Sequence, residues 1–308
     1  MVSNNINTIL SRFPSSFLEE EKRCGYLITA AMKKVWAVEL DLLIEFDRVC
    51  QEMNLTYFLD SGTLLGAVRH NGFIPWDDDI DVIMFRSDYN RLLESGSSKF
   101  KYPYFLQSAY TDKNYFRAHA QLRNSETTGI LPKEAEKVSF NQGIFIDIFV
   151  FDGLTSNIKK LYEQISEQNR IKKIYDLVWM PYSRNGFKQT IKKILSLILK
   201  LKYRDSSDLY RKLELIMQRY EDAEMIDKIG FRNNTSDVHY MKREWFSSAV
   251  PVFFEGYRFP APVGYKDVLK EYYGIDYMIP KQLSSFHEGI LLDAEKSYKE
   301  TISLVENK

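Results

Sequence analysis

The chain has 308 residues, enough for one large domain or for a core carrying a sizeable insertion. Hydrophobic residues make up 44% and charged residues 27%, an ordinary globular balance, and 20 Tyr with 20 Phe supply both a generous core and rings for a ligand site. Lysine plus arginine equals aspartate plus glutamate at 42 each, so the excess positive charge on which bulk nucleic-acid binding depends is missing. Cys24 and Cys50 have neither metal-site spacing nor a disulfide framework and read as reduced thiols. The opening stretch MVSNNINTILSRFPSS lacks the basic start and long apolar run of a signal peptide. No segment approaches the ~20 apolar residues of a membrane span. The expectation is a cytoplasmic protein that touches at most the inner face of a membrane.

Over 27–53 the apolar residues Val35, Val38, Leu42, Phe46, Val49 and Met53 recur at three- and four-residue spacing, which predicts a helix stopped at Asn54. Leu40 and Ile44 lie off that stripe, so more than one face is expected to be covered. TYFLD (56–60) reads as a short buried strand entering a Ser61-Gly62-Thr63 turn, with a brief helix over 64–69. A second strand is expected over 79–85 and a helix from Ser87, which is placed to cap it. GIFIDIFVFD (143–152) is nearly continuous in apolar residues, as in a strand covered on both faces. Strand signals vanish over 157–229, where Lys and Arg become frequent and helical periodicity dominates. The expected organisation is therefore a core of residues 1–155 and 231–308 interrupted by a helical insertion, 156–230, facing a membrane or an acceptor.

Chemistry concentrates in IPWDDDIDVIM. Alternate side chains of a strand share a face, so Asp79 and Asp81 are expected to project together ~6.5 Å apart, with Ile80, Val82 and Met84 turned into the core. Two carboxylates on one rigid edge repel unless a cation lies between them. Oxygen-only ligands suit Mg²⁺ or Mn²⁺, which keep waters and share their shell with substrate phosphates. Asp147 is a lone acid inside IFIDIFV, where an unpaired charge is costly, and it completes a three-carboxylate metal set. For Asp77 and Asp78 a solvated acidic turn is an equal reading. Small residues at a helix start, as in Ser61-Gly62-Thr63, offer free backbone N–H groups to an anion.

The run YFLDSGTLLGAVRHNGFIPWDDDIDVIMFRSDYNRLL (57–93) closely resembles the signature of the LicD family, which is related to the fukutin-type transferases. The likeness continues through GIFIDIFVFDG and returns in FEGYRFPAP and YKDVLKEYYGIDYMIP. This resemblance implies a nucleotidyltransferase fold: an α/β (α+β) mixed sheet flanked by helices. It implies that Ser61, Gly62 and Thr63 hold phosphate, that Asp79 and Asp81 bind metal, and that Asp147 is the third acid. It further implies transfer of phosphocholine from CDP-choline, or of another phospho-alcohol from a CDP-linked donor, to a hydroxyl of a surface-glycan precursor, with release of CMP. Teichoic acid, lipopolysaccharide and capsule sugars are the acceptor classes, lipid-linked ones foremost. Asp147 is assigned by analogy as the acceptor of the hydroxyl proton.

Arg69 and His70 fall within the matched signature as phosphate or nucleotide contacts; Arg69 equally suits a pair with Asp77 or Asp78. Trp76 either presents a ring face to choline or plugs the core. Arg123 and Lys133 are weaker candidates for the same phosphate contact and read first as surface charges; His287 is either catalytic or supporting, or, as the commoner case, a structural histidine near the terminus. FKQTIKKILSLILKLKYR (187–204) aligns Ile191, Ile194, Leu195 and Ile198 on one stripe among lysines. It is read either as packing on the core with its basic face in water or as lying on an anionic membrane. Rival functions are a D-x-D glycosyltransferase, which the turn and the third acid disfavour, and a non-catalytic binding module.

Overall fold

The computed structural model describes residues 3–132, 139–179, 187–203, 205–228, 238–282 and 289–306. Helices α1 (Ser3–Leu10) and α2 (Ser15–Leu18), then the hairpin β1 (Glu21–Arg23) and β2 (Tyr26–Ile28), lead into the long helix α3 (Ala30–Met53). The Thr29 hydroxyl accepts from the Met32 amide at 3.2 Å and starts α3. Asn54 stops it in the left-handed region, φ 50°, its N–H donating back to the Cys50 and Gln51 carbonyls. The expected stripe is buried except for the half-buried Met53, and off it Leu40 is buried and Ile44 half-buried, so α3 is covered on several sides. Each such side chain contributes roughly 1.5–3 kcal/mol by leaving water.

The sheet is built from β3 (Tyr57–Leu59), β4 (Asp81–Phe85), β5 (Tyr104–Gln107), β6 (Ala120–Asn124) and β8 (Ile144–Gly153), joined by β9 (Met225–Asp227) and β10 (Met241–Lys242). The ten-residue β8 organises it: β4 runs parallel along it, β6 and β9 antiparallel. β3 lies outside β4, β5 outside β6 and β10 outside β9. Helix α4 (Ser61–His70) connects β3 to β4, and α5 (Arg86–Ser95) follows β4. Helices α6 (Ile158–Trp179), α7 (Phe187–Lys202) and α8 (Ser206–Met217) fill the segment after β8. Beyond the sheet, β7 (Thr128–Ile130) pairs with β13 (Leu291–Asp293), and β11 (Ala249–Phe254) with β12 (Tyr257–Pro262). Helices α9 (Tyr265–Tyr273) and α10 (Tyr298–Glu306) complete the described chain. The result is a mixed sheet flanked by helices, an α+β architecture.

Several boundaries differ from the sequence reading. Ser61, Gly62 and Thr63 form the first turn of α4 instead of a turn ahead of it, because Asp60 occupies the N-cap. β4 begins at Asp81, so Asp79 lies in the irregular segment before it. Phe85 precedes α5 and no side chain caps it, so Ser87 lies inside the helix instead of at its start. The stretch 157–229 contains a strand after all, since β9 pairs with the end of β8. On α7 the expected stripe faces outward: Ile194, Leu195 and Ile198 are exposed, while Ser196 is buried. The alternative of a core-packed stripe is therefore overturned; the Ile191 side chain lies outside the described residues.

Arg86, 2% exposed, holds Asp152 through Nε at 2.8 Å and Nη2 at 2.5 Å, with Glu214 of α8 at 3.4 Å from Nη1. Removing one partner strands the other charge in a dry site. Asp152→Asn is expected to cost about 3 kcal/mol, read by urea unfolding. A loss below about 1 kcal/mol would mean that the pair is hydrated in solution.

Candidate functional site

Parallel pairing sets Asp81 of β4 directly opposite Asp147 of β8, with the Asp147 amide donating to the Ile80 carbonyl at 2.9 Å. Neighbouring strands lie ~4.8 Å apart, so the two carboxylates share one face at short range. Phe149, two residues on, shares that face. Asp81, Asp147 and Phe149 line a cavity of about 500 Å³ together with Asp77, Asp79, Gly62 and Lys228. Arg69, Trp76, His239, Tyr272 and Tyr273 line the same cavity. A larger cleft, about 990 Å³, lies at the other end of β4 beside Phe85, Asp88 and Arg243 and reaches none of these acids.

The two facing carboxyls are driven in opposite directions. Burial first, then Asp79, pushes Asp81 well above its ordinary value; Asp147 and Asp60 add to this and Lys228 opposes it. Burial acts upward on Asp147 too, but His119, Arg117 and Gln121 outweigh it and hold that carboxyl well below the usual range. Gln121 Nε2 donates to Asp147 Oδ1 at 2.6 Å, and His119 Nε2 lies 3.1 Å from the same oxygen. Arg123 in turn donates to Gln121 Oε1 at 2.6 Å and to the Gly143 carbonyl. Arg123 is thus fully buried, its guanidinium 4.5 Å from the Phe145 ring centre, and the reading of it as a surface charge is overturned. It steadies the residue that holds the third acid.

Asp77, which the sequence left open, belongs to the cluster. Asp77, Asp78 and Asp79 each offer a carboxylate oxygen, and these atoms lie within 4.8 Å of one another. Burial, then Asp81, raises Asp77 to about 6, against a hydrogen bond with Asp79. Gly62 makes room for it: a Cβ there would stand 2.6 Å from Asp77 Oδ2. The Trp36 indole of α3 donates to the Asp77 carbonyl at 3.1 Å. An oxygen-only set of this density fits a hard divalent cation.

The residues expected to bind phosphate are tied into the protein. The Thr63 hydroxyl accepts from the Asp81 amide at 2.8 Å and fixes the start of β4. The Ser61 backbone is in the left-handed region, φ 47°, and its hydroxyl meets the Lys228 ammonium. Lys228 Nζ also lies 2.6 Å from Asp60 Oδ2, and the Tyr272 hydroxyl donates to Asp60 Oδ1 at 3.1 Å. Burial works against the Lys228 charge, yet Asp60 and Asp81 together raise its pKa. Lys228 is the site residue the sequence hid most fully, an isolated lysine at the end of a lysine-rich stretch. Tyr272 and Tyr273 stood inside the matched YKDVLKEYYG run, but nothing in the sequence gave them a direction.

Arg69 and His70 sit at the far end of α4 from Ser61, ~13 Å along a helix rising 1.5 Å per residue. Arg69 donates to the Tyr277 carbonyl and to His70 Nε2, both at 2.9 Å, and the charge of Asp77 acts on it. Trp76 is half-buried against the core and lines the cavity, its ring 6.4 Å from His70, so both readings of it meet in one position. Lys133 and His287 lie outside the described residues.

A guanidinium only donates, so His70 Nε2 must present a lone pair and the ring is neutral. Burial, then Arg69 and Arg23, lowers its pKa to about 4. The folded value lies below the unfolded one, so protonation favours the unfolded chain and stability falls as pH drops from about 6.5 to 4. The ring resonances of His70 are expected to stay unchanged between pH 7.5 and 5 by NMR. A midpoint near 6.5 would show that Arg69 does not hold the ring.

The class this site defines is matched independently. The domain described as LicD/FKTN/FKRP, nucleotidyltransferase domain, corresponds to residues 54–186, which carry Asp60, the 77–81 acids and Asp147. The chain belongs to the LicD family: it is 30% identical over 243 residues to the lipopolysaccharide cholinephosphotransferase LicD of Haemophilus influenzae, covering 78% of this chain and 88% of that protein. A shorter likeness, 42% over 40 residues, reaches the ribitol 5-phosphate transferase FKRP of Homo sapiens, covering 13% of this chain and 8% of that protein.

Proposed function

We propose that the chain is a phosphotransferase that moves phosphocholine from CDP-choline to a hydroxyl of a cell-surface glycan precursor, releasing CMP, with Mg²⁺ or Mn²⁺ as cofactor. The observation that carries this reading is the facing of Asp81 and Asp147 in one cavity, joined to the likeness over 78% of the chain to a cholinephosphotransferase. The acceptor oxygen bonds to the phosphorus that bears choline, the bond from that phosphorus to the CMP oxygen breaks so that CMP leaves with that oxygen, and the hydroxyl proton passes to solvent. Asp77, Asp79, Asp81 and Asp147 would hold the cation, which neutralises charge on the phosphoryl oxygens when bound. Lys228 faces the same space and adds a fixed positive charge. With two neighbours on Oδ1 holding it low, Asp147 is a poor proton acceptor, which favours the cation role over the base role first assigned to it. Trp76, Tyr272 and Tyr273 supply ring faces on which a quaternary ammonium rests well.

The likeness to a ribitol 5-phosphate transferase supports a second reading, transfer of another CDP-linked phospho-alcohol. The test is CMP release from CDP-choline, CDP-ethanolamine, CDP-glycerol and CDP-ribitol with a glycan acceptor, with and without Mg²⁺. CDP-choline is expected to give CMP only with the cation, and Asp81→Asn or Asp147→Asn to lower the rate by on the order of 10²-fold or more. No CMP from any donor sinks the reading; release of a nucleoside diphosphate from a nucleotide-sugar points instead to glycosyl transfer.

A lipid-linked acceptor places the work at the inner face of the membrane. No helix among the described residues is long and apolar enough to span one. On α7, however, Leu197 and Leu201 are exposed along with Ile194, Leu195 and Ile198, near the exposed Lys200 and Lys202. Sedimentation with anionic vesicles is expected, and Leu197→Glu with Ile198→Glu is expected to abolish it. Equal sedimentation of the variant would remove α7 from the membrane reading.

A further inference from the structure

Helix α3 passes behind the acidic segment that precedes β4. Trp36 holds the Asp77 carbonyl from this helix, and Glu39, three residues on, lies on the same side of it. Glu39 is 2% exposed, and its Oε2 has no hydrogen-bond partner among the described residues. The charges that act on it are those of Asp79, Asp78 and Asp77, in that order after burial itself, and all push its carboxyl well above the ordinary value. A buried carboxylate is normally met by a donor or a cation, because desolvation without one is costly. Glu39 instead keeps an unsatisfied oxygen within the electrostatic reach of three further acids. In the sequence, one glutamate inside an amphipathic stripe has no signature of its own.

We propose that Glu39 is the inner positioning residue of the cation site, accepting a hydrogen bond from a water retained by the ion that Asp77 and Asp79 share with Asp81 and Asp147. This rests on the divalent-cation reading above. Mg²⁺ and Mn²⁺ shed their waters reluctantly, and a site of few carboxylates leaves such waters in need of acceptors. Glu39 supplies one from the rigid interior, where α3 on one side and Gly62 on the other leave the acidic segment little freedom to shift. The same arrangement accounts for both the orphan oxygen and its position: an acceptor outside the 4.8 Å cluster reaches the ion through one water. Outer-sphere carboxylates of this kind typically govern 10–100-fold in metal affinity.

The test is Mn²⁺ binding to the full chain, by calorimetry and by the electron paramagnetic resonance of free Mn²⁺, for the natural protein, Glu39→Gln and Glu39→Asp. Glu39→Gln is expected to weaken Mn²⁺ by about tenfold or more and to keep or raise the thermal midpoint of the metal-free protein, since it removes a buried acid beside three others. Glu39→Asp keeps the charge but withdraws the oxygen by one methylene. It is expected to bind Mn²⁺ more weakly than the natural protein, and it serves the comparison if the Gln variant does not fold. Natural-level Mn²⁺ affinity in either folded variant overturns the role of Glu39 while leaving the cation reading intact. Failure of the natural protein itself to bind Mn²⁺ or Mg²⁺ overturns both. A loss of affinity matched by an equal loss of metal-free stability assigns Glu39 to the core and overturns the proposal.

Discussion

The parallel register of β4 on β8 brings two carboxylates, Asp81 and Asp147, face to face at the edge of a cavity. Like charges at that spacing in a half-dry space oppose folding unless something answers them. Much of the surrounding structure is such an answer. Gln121 and His119 meet Asp147, Arg123 fixes Gln121, and Lys228 faces Asp81 while anchored to Asp60. The residues that are buried and polar near the site form a chain of support that ends on the two acids. A protein that needed only stability would have placed valines there.

The same strand pair carries the opposite arrangement at its other end. There Arg86 and Asp152 satisfy each other in a bidentate pair, with Glu214 drawn in from α8. Between the two ends, Val82, Ile83, Met84, Ile148 and Val150 are buried. One end is locked and the other strained, and the apolar middle keeps them apart. The helices that follow β8 are therefore tied to the sheet through α8, whose Leu209, Tyr210, Leu213 and Met217 join the main core.

Helix α4 spans the cavity wall and gives each of its ends a different task. Its N-terminus receives Asp77 over Gly62 and carries Ser61 to Lys228, while its C-terminus presents Arg69 to the backbone of Tyr277. Tyr272, Tyr273 and Tyr277 come from α9 and the chain just after it, more than 180 residues later in the sequence. Part of the cavity wall is thus supplied by a distant segment, which brings further rings to the acids.

Local pattern was enough for what depends on local physics. The 3.6-residue period of α3 and the apolar run of β8 each follow from which face meets the core, and each was legible in the sequence. Ile80, Val82 and Met84 are buried as expected, but Ile83 on the other face of β4 is buried too. The acids of 77–81 and Asp147 stood out because charge among apolar neighbours demands a reason, and the long LicD-like run identified the family. What the sequence could not carry was direction and partnership across distance. Arg123 read as a surface charge because arginine usually is one, and only the crossing of β6 with β8 buries it. Lys228 and Glu39 are single residues in ordinary surroundings until β9 and α3 bring them to the site. Thr63 and Ser61 looked free, but contacts with β4 and Lys228 occupy their hydroxyls. Periodicity records how a segment meets the core; the register between strands, which no single segment encodes, decides which charges must share a space.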